Sequence, residues 1–597
     1  MKAETPGITN VFQRSTILTI PFFQRQYVWG KAMWDRFLVD MDSLVGTSSK
    51  YFLGSLILKE EKVKDEEAMW GVNTKYSVID GQQRLTTLSL YLRALHSLVG
   101  DETTLNNFKA TFFVQNNQNT PVLSHSLNDK AAYQEVMWGN RPDAYKNKSV
   151  VKAYHYLYEE LCKKENKREL LMSVYAHIKF VTIILDDQDD EQQIFDTINS
   201  LGVDLTIDEL MKNFLYEVDD EEDYRRNWMP AFDNTEVRTF WGTDDAARKQ
   251  AATDENKTIT NFFYDFVRIK MWEYRNKKGF DRKLFVQKNH IFSTCKAFVE
   301  LFDAKKQDLA NEIIEYSKLY HKYFDKNNLN KRIPKDSCIE RVACIAMSSI
   351  PSITPYLLFI LRKVSDLEER NKIFGYIEKY LVRRMVCFAT DQNKNYAEFF
   401  GETLISNDLD SYKKLTDYIA KIDSMKNQRM PSDDEIRINL CGRTYGNDGM
   451  LPRLFFYLQE TANNSSLTGG LTCFIAESIL PRRTREADIN YPPHIDNTLE
   501  QQRQTRIKSL GNYVLLRYPN DSNIVDKEIK KEKRKKFEQK IKKLTNEKWE
   551  EKSKFLVENT KDLVCFDWLK KRRTWGEIEI EERNKLLVEV VKKIWGL

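Results

Sequence analysis

Apolar and polar positions alternate in a way that predicts a small sheet and a central helix early in the chain. Apolar residues recur at helical spacing over residues 34–45, and the continuous apolar run at residues 51–58 is typical of a buried strand. Further strands are predicted at residues 76–79 and 180–185. A stripe of leucines follows the strand at 76–79 at the spacing of one helix face, at Leu85, Leu88, Leu92, Leu95 and Leu98.

The rest of the chain is mainly helical in pattern. Residues 259–426 show helical periodicity almost throughout, with polar residues on the outer faces. Small and polar residues at 463–470 indicate a linker. We therefore expect an α+β, predominantly helical protein with domains at residues 1–255, 256–465 and 466–597.

Length, charge and cysteine content narrow the class of protein. A chain of 597 residues is too long for one core, and a net charge of +5 does not by itself predict a nucleic-acid partner. The eight cysteines are scattered without a C-x-x-C pair, which fits a reducing cytosol. With neither a signal-peptide pattern nor a long apolar run, the sequence predicts a cytoplasmic protein without a membrane partner.

The stretch from Tyr76 to Arg84 carries the most informative candidate chemistry. The predicted strand enters Asp80-Gly81, a turn signal, and is followed by two glutamines and Arg84 at the start of the leucine-rich helix. A glycine turn before a helix offers free N–H groups to an anion, and an arginine grips two oxygens at once. The alternative is a helix cap, with Asp80 as the cap residue and Arg84 in a surface ion pair.

Two other segments have both a structural and a functional interpretation. Residues 199–202 end one predicted helix, either as a C-cap or as a nucleotide contact, and Thr206 with Glu209 predicts a capping box for the next helix. The run from Lys527 to Lys543 has ten basic and three acidic residues, which is typical of a solvated helix face or of a contact to the DNA backbone. A Walker-type nucleotide site is excluded because G-x-x-x-x-G-K-[ST] is absent.

A set of motifs in order along the chain resembles the GmrSD and SspE type of modification-dependent (type IV) restriction and antiphage proteins. In the N-terminal half they are Phe23 to Trp29, Asp80 to Arg84, Ile194 to Asn199 with Gly202 and Leu205, and Lys212-Asn213. In the C-terminal half they are Tyr380 to Arg384, Pro431 to Asp434, Glu477 to Pro481, Leu510 to Asn512 with Leu515-Leu516, Trp575, Arg583 and Ile594-Trp595. The resemblance implies a ParB/sulfiredoxin-like N-terminal domain, a helical middle and a C-terminal His-Me-finger (HNH) nuclease-like domain.

For the N-terminal domain, the resemblance implies binding and hydrolysis of an NTP (GTP, ATP or UTP) with Mg2+ or another divalent metal. The catalytic candidates are Asp80, Gln82, Gln83 and Arg84. Arg84 and Arg25 would neutralise phosphate charge, one of the glutamines would orient water, and Asp80 would hold metal or position Arg84. The nucleotide-binding candidates are Gln24, Arg25, Gly81, Arg84, Asn199 and Lys212.

The chain departs from the family pattern in the nuclease-like domain. Family members typically have Glu-His-Ile-Leu-Pro, in which the histidine is the general base, and here that position is Ser478. Glu477 with Asn520 or Asn523 would still form a metal site, and His494 is an alternative base. The resemblance also favours DNA contacts from the basic run, through Lys531, Lys533, Arg534 and Lys535.

Two functions are therefore expected from the sequence. The first is an antiphage restriction enzyme, in which NTP hydrolysis licenses action on foreign DNA. The second is a nucleotide-sensing, DNA-binding subunit with a degenerate nuclease, which docks a related partner that has an intact one. An oligomer is expected in both cases.

Overall fold

The structure is a computed structural model that describes most of the chain. The described residues are 2–140, 143–186, 205–243, 258–280, 290–388, 396–422, 428–445, 449–463, 467–480, 496–519, 527–544 and 549–596. They divide into two compact units, the first comprising Met1–Thr260 with Ala304–Asn311 and the second comprising Asn261–Asp303 with Glu312–Leu597. The prediction of three domains stays a prediction.

A six-stranded mixed sheet organises the first unit. The strands of this unit are β1 (Lys2–Glu4), β2 (Thr16–Thr19), β3 (Tyr51–Glu61), β4 (Thr74–Asp80), β5 (Phe113–Val114), β6 (Asn117–Pro121), β7 (Leu123–Ser124) and β8 (Ile178–Leu185). The sheet order is β1-β8-β3-β4-β2-β7, while β5 and β6 form a separate two-stranded ribbon. In the sheet, β4 is antiparallel to β3 and parallel to β2. Strand β4 therefore lies inside the sheet, and its carboxyl end delivers Asp80 to the edge where the next helix begins.

The first unit also contains the following helices. They are α1 (Ile8–Val11), α2 (Lys31–Asp42), α3 (Asp65–Met69), α4 (Gln82–Val99), α5 (Glu102–Phe112), α6 (Leu127–Trp138), α7 (Ser149–Cys162) and α8 (Lys167–His177), followed by Ile207–Leu215 and Thr235–Trp241. Helix α4 packs against α5, α6, α7 and α8, and most of its side chains are buried on all sides. A helix that is buried all round is anchored by its neighbours rather than by its own propensity, which makes its first turn a rigid platform.

The pattern of apolar residues located these elements well. The strands expected at residues 51–58, 76–79 and 180–185 are β3, β4 and β8. The capping box expected at Thr206 is supported by the Glu209 carboxylate, which accepts a hydrogen bond from the Thr206 N–H at 3.0 Å. The α+β, predominantly helical fold class is confirmed.

The second unit is built mainly of helices. Its longer helices are Thr258–Lys270, Ile291–Glu300, Lys306–Phe324, Cys338–Ser348, Thr354–Lys363, Leu367–Cys387, Tyr412–Ala420, Asp433–Gly442, Met450–Asn463, Asn497–Ile507, Lys527–Lys543, Trp549–Thr560 and Glu577–Trp595, the first and third of which begin in the first unit. Among the described residues of the whole chain, no helix has both the length and the apolar character needed to cross a bilayer.

A buried arginine joins distant segments of the second unit. Arg383, on the helix Leu367–Cys387, is fully buried and donates hydrogen bonds to the carbonyls of Pro431 and Trp595. It also pairs with the carboxylate of Asp433 at 2.7 Å. One guanidinium thus satisfies main-chain groups at the ends of two other elements, which fits its position in the sequence motif around Tyr380 to Arg384.

One asparagine holds together a two-stranded antiparallel sheet of the second unit. Strands β9 (Phe474–Ser478) and β10 (Tyr513–Arg517) pair with Ser478 opposite Tyr513. The Asn512 side chain accepts from the Leu480 N–H at 2.8 Å and donates to the Leu480 and Ile507 carbonyls. Its oxygen also accepts from the indole N–H of Trp575 at 3.2 Å. Asn512 therefore ties the ends of the two strands together.

Replacing Asn512 by leucine is expected to destabilise the second unit. The change leaves buried main-chain groups of Leu480 and Ile507 without partners, so we expect a loss of about 3 kcal/mol or more in the free energy of unfolding. Thermal or denaturant unfolding measures this loss. Gln501→Ala, at an exposed position of a helix in the same unit, is the control and should leave stability unchanged. An Asn512→Leu protein as stable as the wild type would contradict the assigned role.

Candidate functional site

The turn between β4 and α4 is built around a glycine in the left-handed region. Gly81 has φ 99° and ψ 0° and is the N-cap residue of α4. A Cβ atom at this position would lie 2.4 Å from Leu56 Cδ2 and 3.1 Å from the Ser55 carbonyl oxygen. Both the conformation and the close approach of β3 therefore require glycine. Asp80 is not the cap residue, in contrast to the alternative interpretation of the sequence.

The first turn of α4 has uncapped N–H groups. Gly81 offers no side chain to cap the helix. In the part of the chain that the structure describes, no acceptor meets the N–H groups of Gln82, Gln83 and Arg84. These groups, together with the helix dipole, favour a negative charge in front of the turn.

Arg84 lies over this turn in a defined orientation. Its Nη2 donates to Asp80 Oδ2 at 2.7 Å and to the Ser55 carbonyl at 2.7 Å. Its Nε is buried without a partner within the described residues. The side chain is 26% exposed, so Asp80 and Ser55 fix one nitrogen of the guanidinium while the group remains accessible to solvent. Asp80 thus forms an ion pair with Arg84, as the alternative interpretation expected for this arginine, and the catalytic role of Asp80 stays a prediction.

Gln83 joins the two N-terminal sequence motifs. Its Oε1 accepts from the Val28 N–H at 2.9 Å across a separation of 55 residues, and its Nε2 donates to the Gln26 carbonyl at 3.2 Å. Both ends of the amide are therefore bonded to the main chain of the segment Phe23 to Trp29. This side chain therefore holds the two motifs together.

Gln24 and Gln82 form a second contact between these motifs. The Gln82 Nε2 donates to Gln24 Oε1 at 3.5 Å, and Gln24 Nε2 donates to the Ile79 carbonyl at 3.4 Å. Both side chains are buried. Arg25, between Gln24 and Gln26, is half-buried and has a partner of its own. The structure thus brings Gln24, Gln82 and Gln83 together at the start of α4.

Two threonines brace the first turn from behind. Thr86 and Thr87 donate their hydroxyl protons to the carbonyls of Gln82 and Gln83, at 2.7 and 2.8 Å. His125 Nε2 lies 2.8 Å from Thr86 Oγ1. Complete burial lowers the pKa of His125 to about 3, so its imidazole is neutral at physiological pH.

Lys212 lies in a buried charged cluster. Its Nζ is 2.9 Å from Asp233 Oδ2, which also accepts from the Tyr224 hydroxyl at 2.6 Å. Burial opposes ionisation of Asp233, but the charges of Lys212 and Arg238 hold the pKa of this carboxyl below its ordinary value. Through Tyr224, whose ring is 4.8 Å from that of Phe22, the cluster supports the segment that carries Gln24. Asn199 lies outside the described residues.

The C-terminal candidates are placed only in part. Glu477 and Ser478 are half-buried at the end of β9. The basic helix Lys527–Lys543 follows β10 in the sequence. Asn520, Asn523 and His494 lie outside the described residues. Within the described residues, no group of three or more His, Cys, Asp or Glu side chains is arranged to hold a metal ion.

The basic helix exposes three of the four predicted DNA contacts. Lys531, Lys533 and Lys535 point to solvent, whereas Arg534 stacks over the Tyr518 ring at 4.6 Å. Phe537 on the same helix is buried against Phe555. The helix is therefore anchored through Arg534 and Phe537, while Lys531, Lys533 and Lys535 remain exposed.

Two residues next to the turn, Gly54 and His125, were not identified from the sequence. Gly54, in the middle of β3, has φ 127°, and a Cβ atom there would lie 2.8 Å from Arg84 Nη1. A glycine inside a strand pattern is a signal of close backbone approach, so Gly54 was detectable in the sequence. His125 carries no such signal, because its contact with Thr86 arises only from tertiary packing against α4.

One family model matches the chain. Residues 8–216 match the model described as GmrSD restriction endonuclease, N-terminal domain. The match contains both motifs that meet at the turn, Phe23 to Trp29 and Asp80 to Arg84. No curated protein matches the chain. For these residues the resemblance to GmrSD restriction proteins is confirmed, while the likeness to SspE and the ParB/sulfiredoxin-like and His-Me-finger assignments stay predictions.

Gly54→Ala is expected to destabilise the first unit by displacing Arg84. We expect a loss of about 2 kcal/mol in the free energy of unfolding, from a strained φ and from the collision with Nη1. In an Arg84→Ala background the collision is absent, so the same change should cost about 1 kcal/mol less. Gly46→Ala is the control, because Gly46 also has positive φ, at 74°, but a Cβ atom added there would meet no other atom within 4 Å. Equal costs of Gly54→Ala in both backgrounds would contradict the contact.

Proposed function

We propose, on the premise that residues 8–216 form a GmrSD-type N-terminal domain, that this chain is a nucleotide-controlled antiphage restriction protein. An NTP binds and is hydrolysed at the turn between β4 and α4, and this turnover controls action on foreign DNA. The proposal is supported by the uncapped first turn of α4 beside Arg84, because free N–H groups and a guanidinium favour a bound anion.

Each residue at the turn would have a different role in nucleotide binding and hydrolysis. The N–H groups of Gln82, Gln83 and Arg84 would bind phosphate oxygens, and Arg84 would neutralise their charge. Asp80 holds Arg84 in place through their ion pair at 2.7 Å. Gln82 is the candidate for orienting the attacking water, since Gln83 is bonded at both ends of its amide.

The residues at the turn fit a nucleotide that arrives with its metal. Mg2+ commonly needs one or two protein carboxylates in addition to phosphate oxygens and water, and Asp80 offers one. When bound, the ion would neutralise charge on the phosphates. Arg25 and Gln24 lie on the segment that is hydrogen-bonded to the turn, and they would line the rest of the site. Lys212 would act at a distance, by supporting that segment through its buried cluster.

For the C-terminal domain we propose a degenerate nuclease that contacts DNA. A serine at the position of the general base does not accept a proton near neutral pH, so cleavage should be weak or absent. Ser478 favours the second candidate function, a nucleotide-sensing subunit that docks a related nuclease. Lys531, Lys533 and Lys535 are exposed on one helix and would contact DNA phosphates.

Arg84→Ala is expected to weaken NTP binding by about 10- to 100-fold, because hydrogen bonds to charged groups are worth about 1.5 to 3 kcal/mol. Titration calorimetry with the magnesium salts of ATP, GTP and UTP measures the affinity, and phosphate release measures turnover. Arg168→Ala is the matched control, since Arg168 also pairs with an aspartate, Asp101, at 2.7 Å but lies on the surface. Unchanged binding and turnover in Arg84→Ala would place the site elsewhere.

Ser478→His is expected to raise DNA cleavage, by about 100-fold or more if a general base is all that the domain lacks. A plasmid-nicking assay with Mg2+ or Mn2+ measures cleavage, with NTP hydrolysis followed in the same tube. For the wild type we expect hydrolysis that DNA stimulates, without cleavage. Robust cleavage by the wild type that His494→Ala abolishes would overturn the degenerate-nuclease proposal.

A further inference from the structure

Two chains of side-chain hydrogen bonds end on the first turn of α4. In one, His125 Nε2 is 2.8 Å from Thr86 Oγ1, which is 2.7 Å from the Gln82 carbonyl. In the other, the Tyr27 hydroxyl is 2.7 Å from Thr87 Oγ1, which is 2.8 Å from the Gln83 carbonyl. His125, Tyr27 and both threonines are buried.

Counting protons gives both chains a direction. A threonine hydroxyl has one proton, and each of these hydroxyls gives it to a carbonyl, which only accepts. His125 must therefore donate from Nε2 to Thr86, which places its single proton on that nitrogen. Tyr27 must likewise donate to Thr87, and its oxygen accepts from the Trp34 indole N–H at 2.9 Å. Both chains run from the core toward α4.

These carbonyls share peptide planes with the N–H groups of the proposed site. The carbonyl of Gln82 and the N–H of Gln83 belong to one rigid peptide, and the carbonyl of Gln83 and the N–H of Arg84 belong to the next. A carbonyl that accepts a hydroxyl in addition to the helical bond is fixed in direction, and the dipole of its peptide is strengthened. Each chain therefore orients and polarises one N–H at the front of the turn.

We propose that His125 and Tyr27 are positioning residues of the nucleotide site, acting through Thr86 and Thr87 on the two peptides that face the phosphates. This inference rests on the proposed function, because it concerns how the same turn binds an NTP. Neither residue touches the nucleotide. Both hold a donor in the direction that a phosphate oxygen requires.

The double variant Thr86→Val/His125→Leu separates positioning from a purely structural role. It removes donor and acceptor together, so no buried polar partner is left unpaired and the folded protein should remain close to wild-type stability. We expect the Kd for the magnesium salts of ATP, GTP or UTP to rise by about tenfold nevertheless, because one N–H is no longer oriented. Thr86→Ser and His125→Gln, which keep the hydroxyl and a donor, should restore most of the affinity.

His96→Leu is the matched control for loss of a buried histidine in the same unit. His96 lies in the last turns of α4 and bonds to the Thr104 carbonyl and the Tyr175 hydroxyl, so its removal should lower the melting temperature without changing the Kd. Wild-type affinity in the double variant would overturn the positioning role. If the double variant does not fold, the Kd of Thr86→Val compared with that of Thr86→Ser decides in the same way.

The outcomes also separate this inference from the proposed function. A wild-type protein that binds none of the three nucleotides would refute the nucleotide site itself. Binding that is lost in Arg84→Ala but intact in the double variant would refute only the role of His125.

Discussion

The bidentate amide of Gln83 is the interaction on which the candidate site depends. The amide accepts a hydrogen bond from the Val28 N–H and donates one to the Gln26 carbonyl, as a main-chain peptide does between paired strands. These two bonds fix the segment Phe23 to Trp29 to the first turn of α4. Together with the contacts of Gln24 to Ile79 and Gln82, it holds the segment Phe23 to Trp29 beside the turn. The left-handed Gly81 supplies the other constraint, because it lets β3 approach closely enough for the Ser55 carbonyl to receive Arg84.

Rigid support distinguishes this turn from an ordinary helix start. Helix α4 is buried on all sides, its first carbonyls accept hydroxyl protons, and its N-terminal arginine is held by a carboxylate and a carbonyl. A preorganised set of donors loses little entropy when an anion binds, which is why such sites bind phosphate well in spite of their small size. The packed core therefore fixes the turn, and the fixed turn positions the donor groups of the candidate site.

Much of this was readable in the sequence, and the part that was not has a physical reason. Apolar periodicity located β3, β4, β8 and α4, because burial of one or both faces dictates the pattern. The contacts of Asp80 and Gln83 could not be predicted from the sequence. A helix cap, an ion pair and an amide that bonds to a neighbouring segment use the same residue types at the same spacing. Only the tertiary contacts of Arg84 with Ser55 and of Gln83 with the segment before Val28 separate them. The site candidates of the C-terminal domain lie partly outside the described residues, so their roles still rest on the sequence.

The proposed nucleotide site depends on the N–H groups of Gln82, Gln83 and Arg84, which would bind the phosphates. Hydrogen–deuterium exchange of the full chain, with and without a saturating magnesium nucleotide, tests it most directly, because these groups have no acceptor within the described residues and should gain one on binding. We expect exchange at residues 82–84 to slow markedly on addition of the nucleotide. Exchange that stays unchanged there while the nucleotide is bound or hydrolysed would contradict it.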